Sequence, residues 1–190
     1  MSIIEEYLFP AMWLGYLAYW QAMSKGVKAT KREEPGLTRL VRLVSIVCAV
    51  LLLSLPRIPL QVLHRRFLPV GDWWFWIGAA VTAGGLLFSV WARHHLGTNW
   101  SQAVTLKEGH ELITSGPYAV VRHPIYTGLL TAFAGCAIAR GEFRGLLAVA
   151  LVLTVLWPKL RLEEEWMRSR FGEAYEAYAR RVSRLVPYLL

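Results

Sequence analysis

From Trp73 to Ala92 the chain runs for twenty residues without a charged side chain. A helix of that length rises 1.5 Å per residue and covers roughly the 30 Å of a bilayer's hydrocarbon core. In lipid its backbone polar groups are satisfied within the helix, and an open strand has no such recourse. The composition agrees: hydrophobic residues make up 55% of the 190 residues and charged ones 18%, against about a quarter in an average soluble domain. This excludes a disordered segment, a collagen-like repeat and an ordinary water-soluble domain.

Further apolar runs lie at 7–23, 43–63, 125–139 and 145–157. The expected architecture is all-α and integral to the membrane, a single domain over 1–190. It has five spans at about 5–23, 43–63, 73–92, 124–140 and 143–158, a loop at 96–123 and a tail at 159–190. The last two runs are short for a crossing, so their helices are expected to continue into polar segments rather than form a re-entrant hairpin. Within the third span, Ala80 and Gly84 (with Gly85) permit close helix packing.

Five spans put the termini on opposite sides. Sixteen Lys and Arg fall between spans one and two, between three and four, and in the tail. Arg57, Arg65, Arg66, Arg140 and Arg144 fall on the other side. The positive-inside bias therefore places the C-terminus in the cytosol and the short N-terminus, with Glu5 and Glu6, outside, as a retained first span rather than a cleaved signal. The same bias accounts for the net charge of +8, and no nucleic-acid partner is expected. After Pro158, Leu162, Trp166, Phe171, Tyr175, Tyr178, Val182 and Leu185 recur at three- and four-residue steps. This reads as an amphipathic interfacial segment, broken at Gly172, lying along membrane lipids.

Cys48 and Cys136 sit in apolar runs and read as buried small hydrophobes. His94 and His95 are adjacent and do not share a helix face, so no metal is expected. No glycine-rich nucleotide loop follows a strand, which excludes a Rossmann domain. Trp73, Trp74 and Trp76 read as an interfacial aromatic belt.

Two stretches are too polar for a plain bundle. The loop 96–123 leads into Arg122-His123-Pro124; Pro124 fits the first position of helix four, whose N-terminus favours an anion. Beyond span five come Lys159 and Glu163-Glu164-Glu165. Lys159 and Glu163 share a helix face, and the ordinary reading is a surface pair of about 0.2–0.5 kcal/mol.

Together, His110-Glu111-Leu112-Ile113-Thr114-Ser115-Gly116-Pro117-Tyr118, Arg122-His123-Pro124-Ile125-Tyr126-Thr127-Gly128, Glu163-Glu164 and Phe171-Gly172-Glu173-Ala174-Tyr175 resemble the isoprenylcysteine carboxyl methyltransferase family. Phospholipid N-methyltransferases share much of the pattern, which covers about residues 93–188. The resemblance implies an S-adenosylmethionine-dependent membrane methyltransferase. It implies a cofactor held by His110, Glu111, Leu112, Ile113, Tyr118, His123, Pro124, Ile125, Tyr126 and Glu163. Lys159 stands where the prenylcysteine enzymes place an arginine facing the substrate carboxylate, and a lysine lacks the bidentate fork.

On this reading Lys159, Arg122 and Glu163 are the catalytic candidates, with Lys159 and Arg122 binding the acceptor. A carboxylate nucleophile needs only an orienting cation. A thiol or amine would need a base such as Glu164 or His123. The acceptor is expected to be lipophilic, most simply a prenylcysteine-like carboxylate, with a phospholipid amine or a thiol as alternatives. A non-catalytic or transporter-like bundle is the rival of another class. Transporters carry polar groups at mid-membrane, whereas here they gather at one interface.

Overall fold

The computed structural model describes residues 3–24, 36–55, 58–97 and 112–189. Among them are six α-helices: α1 (Ile3–Ser24), α2 (Gly36–Ser54), α3 (Trp73–Leu96), α4 (Pro124–Arg140), α5 (Phe143–Phe171) and α6 (Glu173–Arg181). Extended pairing among the described residues is confined to isolated bridges. The protein is an all-helical, multi-pass membrane protein. Three of its helices, α2, α3 and α5, are long and apolar enough to cross a bilayer. Of the others, α1 opens with Glu5 and Glu6 and α4 has 17 residues.

Several boundaries differ from those expected. The second helix begins at Gly36 and stops at Ser54, so it does not extend to residue 63; a separate short turn spans Gln61–His64. The fifth span is bounded at 158, and its helix continues into the polar segment as its short apolar run leads one to expect. It runs through Pro158 to Phe171 as one helix of 29 residues. A proline has no N–H for the carbonyl four residues back and strains an interior turn, but the flanking turns are long enough here to carry the helix past it. The break at Gly172 does occur, with a φ of 49° in the left-handed region that favours glycine.

The tightest helix pair is α3 with α4. A Cβ on Gly85 would lie 2.5 Å from the Gly128 carbonyl oxygen, and one on Gly78 would lie 2.5 Å from the Gly135 carbonyl oxygen. Backbone therefore touches backbone along a seam of small residues, which also holds Thr82, Ser89 and Ala132, all buried. Of the three small residues expected to pack, only Gly85 does: Gly84 has nothing within 4 Å of its would-be Cβ, and Ala80 is exposed. Gly78 and Gly85 are seven apart, two full turns, and make the contact.

A second core joins α2, α4 and α5 through Ala49, Phe133, Ala148, Val152 and Leu156. Trp13 of α1 packs on the same cluster, and Tyr16 reaches the Ser89 hydroxyl at 3.0 Å. At the far end of the bundle α4 turns directly into α5 at Gly141, φ 67°. There Arg140 and Arg144 donate to the Leu53 and Leu55 carbonyls, satisfying carbonyls that the end of α2 leaves without intrahelical partners. Arg144, 1% exposed, is neutralised by Glu142 at 2.7 Å. All this lies opposite the end where α4 begins and the polar part of α5 continues.

Candidate active site

The approach to α4 is built by its own tail. Gly116–Ala119 form a 3-10 turn with Pro117 and Tyr118 buried, and the Tyr178 hydroxyl of α6 donates to the Tyr118 carbonyl at 2.6 Å. Val121 then pairs in parallel with Ser183. The Arg122 and His123 N–H groups donate to the Ser183 and Arg184 carbonyls at 2.8 and 3.1 Å, and the Thr127 hydroxyl donates to the Leu185 carbonyl at 2.7 Å. Residues 183–185 thus pin the first turn of α4, and His123 sits at its N-cap.

Because α5 continues past Pro158, it delivers Lys159, Glu163 and Glu164 to that same turn. Adjacent helical residues point about 100° apart, so the two glutamates do different work. Glu164 is wholly buried and is gripped by three guanidinium groups. Arg122 donates to it at 2.8 and 3.1 Å, Arg184 at 2.7 and 2.9 Å, and Arg168 at 3.3 Å. Arg122 is fully committed, since its remaining Nη1 donates to the Ala179 and Val182 carbonyls at 2.8 and 2.6 Å.

Glu163 faces a different space. It accepts from the Tyr126 hydroxyl at 2.6 Å, lies 3.5 Å from His123 Nδ1 and 3.8 Å from Lys159 Nζ, and keeps 21% of its side chain exposed. His123 stacks on Tyr126, and the Lys159 ammonium sits 5.7 Å from the Tyr126 ring centre. Glu163 also acts electrostatically on Tyr118, whose hydroxyl is pushed well above its ordinary pKa mainly by burial and then by that charge. The sequence candidates Tyr118, His123, Tyr126, Lys159 and Glu163 are therefore brought together. Pro124 and Ile125 lie in the same first turn of α4, and Leu112 and Ile113 are half-buried ahead of the 3-10 turn. His110 and Glu111 lie outside the described residues.

His123 bridges the two glutamates, with Nε2 3.3 Å from Glu164. Burial alone would lower its pKa, but the hydrogen bonds and charges of Glu163 and Glu164 outweigh burial and raise it. Facing the ring are Tyr126 from α4, and Glu163, Glu164 and Lys159 from α5; Arg122 and Arg184 share the Glu164 carboxylate. A histidine whose folded pKa exceeds its unfolded value of about 6.5 contributes stability that is fully present below that pH and fades as pH rises through the folded value. Thermal midpoints in detergent should accordingly fall with rising pH above about 6.5, and His123→Gln should flatten that part of the profile. A wild-type midpoint that rises over this interval would contradict the assignment.

The partners of Glu164 were only partly legible. Arg168 stands four residues on, the ordinary helical pairing. Arg184, one of the tail charges counted for orientation, lies twenty positions away, and no local signal connects the two. Among the described residues no cluster of three or more His, Cys, Asp or Glu could hold a metal.

Residues 73–174, just over half of the chain, match the family described as phospholipid methyltransferase. The chain belongs to that family. The match takes in α3, α4, α5 and every residue around Glu163 described above. This family member is 34% identical over 96 residues to the protein-S-isoprenylcysteine O-methyltransferase of Schizosaccharomyces pombe, covering 49% of this chain and 41% of that one. It is 28% identical over 123 residues to a probable protein-S-isoprenylcysteine O-methyltransferase of Oryza sativa subsp. indica, covering 62% and 64%. The isoprenylcysteine methyltransferase likeness read from the sequence thus has curated counterparts, and the chain spans less than two thirds of their length. Its fold is that of the solved eukaryotic intramembrane Ras methyltransferase ICMT, with a TM-score of 0.59 at 20% identity over 99% of this chain and 69% of the other.

Proposed function

We propose that the protein transfers a methyl group from S-adenosylmethionine to a lipophilic acceptor at the cytoplasmic membrane interface, the acceptor being a prenylcysteine-like carboxylate. The observation that carries this reading is the meeting of Glu163 with His123 and Tyr126 at one end of the bundle. A part-exposed carboxylate beside a helix N-terminus suits a zwitterionic amino-acid moiety: Glu163 faces its ammonium, and the first turn of α4 faces its carboxylate. The donor set therefore fits. Tyr118, Leu112 and Ile113, with His110 and Glu111, would hold the rest of the molecule.

When bound, the donor supplies an activated methyl on a sulfonium. The chain's own contribution is alignment, which in favourable systems is worth about 7–11 kcal/mol. Lys159 would orient the acceptor carboxylate toward the methyl group that the bound donor would supply. No base is required. Arg122, also a candidate for this work, acts instead as a positioning residue, because its guanidinium is spent on Glu164 and two backbone carbonyls.

Given five crossings, the distribution of lysine and arginine assigns the N-terminus to the outside and the C-terminus to the cytosol, which puts this end of the bundle on the cytosolic side. A soluble donor then arrives from water and a greasy acceptor arrives laterally between helices. The test is labelled methyl transfer to an S-prenylated N-acetylcysteine, to phosphatidylethanolamine and to simple thiols. Incorporation into the first is expected. Incorporation only into the lipid amine or a thiol would replace the acceptor, and incorporation into none would overturn the activity.

A further inference from the structure

The outward stripe of α5 changes character along its length. From Leu153 its exposed positions recur every four residues, through Trp157 and Arg161 to Glu165. A step of four keeps to one helix face and rises about 6 Å. An apolar stripe that ends in a tryptophan and then an arginine marks the passage from hydrocarbon to headgroups. The lipid phosphates at this end of the bundle therefore lie near the level of Arg161.

A second guanidinium meets the same indole. The Arg161 Cζ lies 5.6 Å and the Arg184 Cζ 5.2 Å from the centre of the Trp157 ring. Arg184 spends Nε and Nη2 on Glu164 at 2.9 and 2.7 Å, and its Nη1 bonds none of the described residues. Among the described residues Arg161 makes no hydrogen bond or ion pair, not even with Glu165 one turn on. Just beyond Arg184 the chain exposes Val186, Tyr188 and Leu189, in a turn closed by the Leu189 N–H on the Val186 carbonyl at 3.1 Å. Two cations with open donors thus sit at a tryptophan, beside an apolar turn, at the boundary of the bilayer.

We propose that Arg161 and Arg184, gathered at Trp157, form a seat for the phosphate of an acidic phospholipid, whose occupancy steadies the first turn of α4. This goes beyond the methyl-transfer reading and does not depend on it. Guanidinium N–H groups without protein acceptors match phosphate oxygens, and the apolar turn at 186–189 takes the acyl edge of the lipid. A zwitterionic headgroup brings its own ammonium beside two guanidiniums, whereas an acidic one does not, so the acidic lipid is preferred. Arg184 carries the effect inward. Its side chain grips Glu164, and its carbonyl accepts from the His123 N–H at 3.1 Å, so holding Arg184 holds the N-cap of α4.

The test places the full chain in nanodiscs of phosphatidylcholine with and without phosphatidylglycerol. Lipid retained on the released protein is read by native mass spectrometry, and the thermal midpoint is read in the disc. Wild type is expected to retain phosphatidylglycerol at least about fivefold over phosphatidylcholine, and to melt about 2–4 °C higher when it is present. Arg161→Gln should lose both responses while melting like wild type in phosphatidylcholine alone. Arg180→Gln removes an equal charge from an exposed position on α6 and should keep both responses. Equal losses in the two variants would reduce the effect to diffuse attraction and overturn the seat. So would a wild type without lipid preference, or an Arg161→Gln that keeps it. A preference without a change in midpoint would overturn the coupling to α4. The same midpoint shift from inorganic phosphate in phosphatidylcholine discs would replace the lipid by a soluble anion and overturn the inference.

Discussion

Glu164→Gln is expected to unfold or severely destabilise the protein, by about 3–5 kcal/mol, although the substitution is nearly isosteric. Glu164 is wholly buried and is the anion that Arg122, Arg184 and Arg168 share. With the charge removed, Arg122 and Arg184 remain in place with one amide oxygen between them. Leaving a buried charge unpaired costs far more than the intact pair contributes. The damage should also be specific in place. Arg184 and Arg122 belong to the two strands of chain that meet at the Val121–Ser183 bridge, so the support for the first turn of α4 loosens with them. Thermal unfolding in detergent, with S-adenosylhomocysteine binding as the second readout, checks both parts. A variant with an unchanged midpoint would show that the network contributes little.

The other large effect is a contrast between neighbours. Gly85→Leu should abolish the folded protein, while Gly84→Leu should be nearly silent. At Gly85 the first added carbon already lies 2.5 Å from the Gly128 carbonyl oxygen and 2.6 Å from the Ala132 nitrogen. Both are backbone atoms and cannot swing aside, so α3 and α4 must separate. Overpacking a core with freedom to relax costs about 1–3 kcal/mol, and a rigid backbone contact exceeds that range. Gly84 meets nothing within 4 Å, and a leucine there adds apolar surface where lipid or detergent accepts it. Expression level and size-exclusion profile of the two variants separate them at once. Equal behaviour would mean that the α3–α4 seam is misplaced.

That pair of glycines also shows what could be read from the chain before its structure. Length and the absence of charge identify the third helix as a membrane helix, but in an all-apolar segment hydrophobic periodicity does not say which stripe faces protein and which faces lipid. Small residues on both faces left the choice open: of those expected, Gly85 makes the contact, joined by Gly78, while Gly84 does not. Pro124 at the first helical position and Gly141 at the end mark α4 by residue type alone. Pro158 ordinarily signals a boundary. The short apolar run before it and the amphipathic pattern after it point instead to a helix that continues into the polar segment, and α5 does run on to Phe171.

The site divides in the same way. Lys159 and Glu163 are legible as a helical pair, and the segment 122–128 stands out by residue type. The separate tasks of Glu163 and Glu164 follow from helix geometry only once the surroundings of α5 are known. The role of Arg184 depends on the terminal segment folding back over α4, a contact of long sequence separation that no local pattern encodes.

The most direct test of the central claim is isothermal calorimetry of the purified protein with S-adenosylhomocysteine, comparing wild type with Glu163→Ala. Tyr126, His123 and Lys159 surround Glu163, and its carboxylate is assigned to the ligand's ammonium. Wild type should therefore bind with measurable heat, and Glu163→Ala should show none while keeping its helical circular dichroism. No heat from wild type, or undiminished binding by a folded Glu163→Ala, would contradict the account.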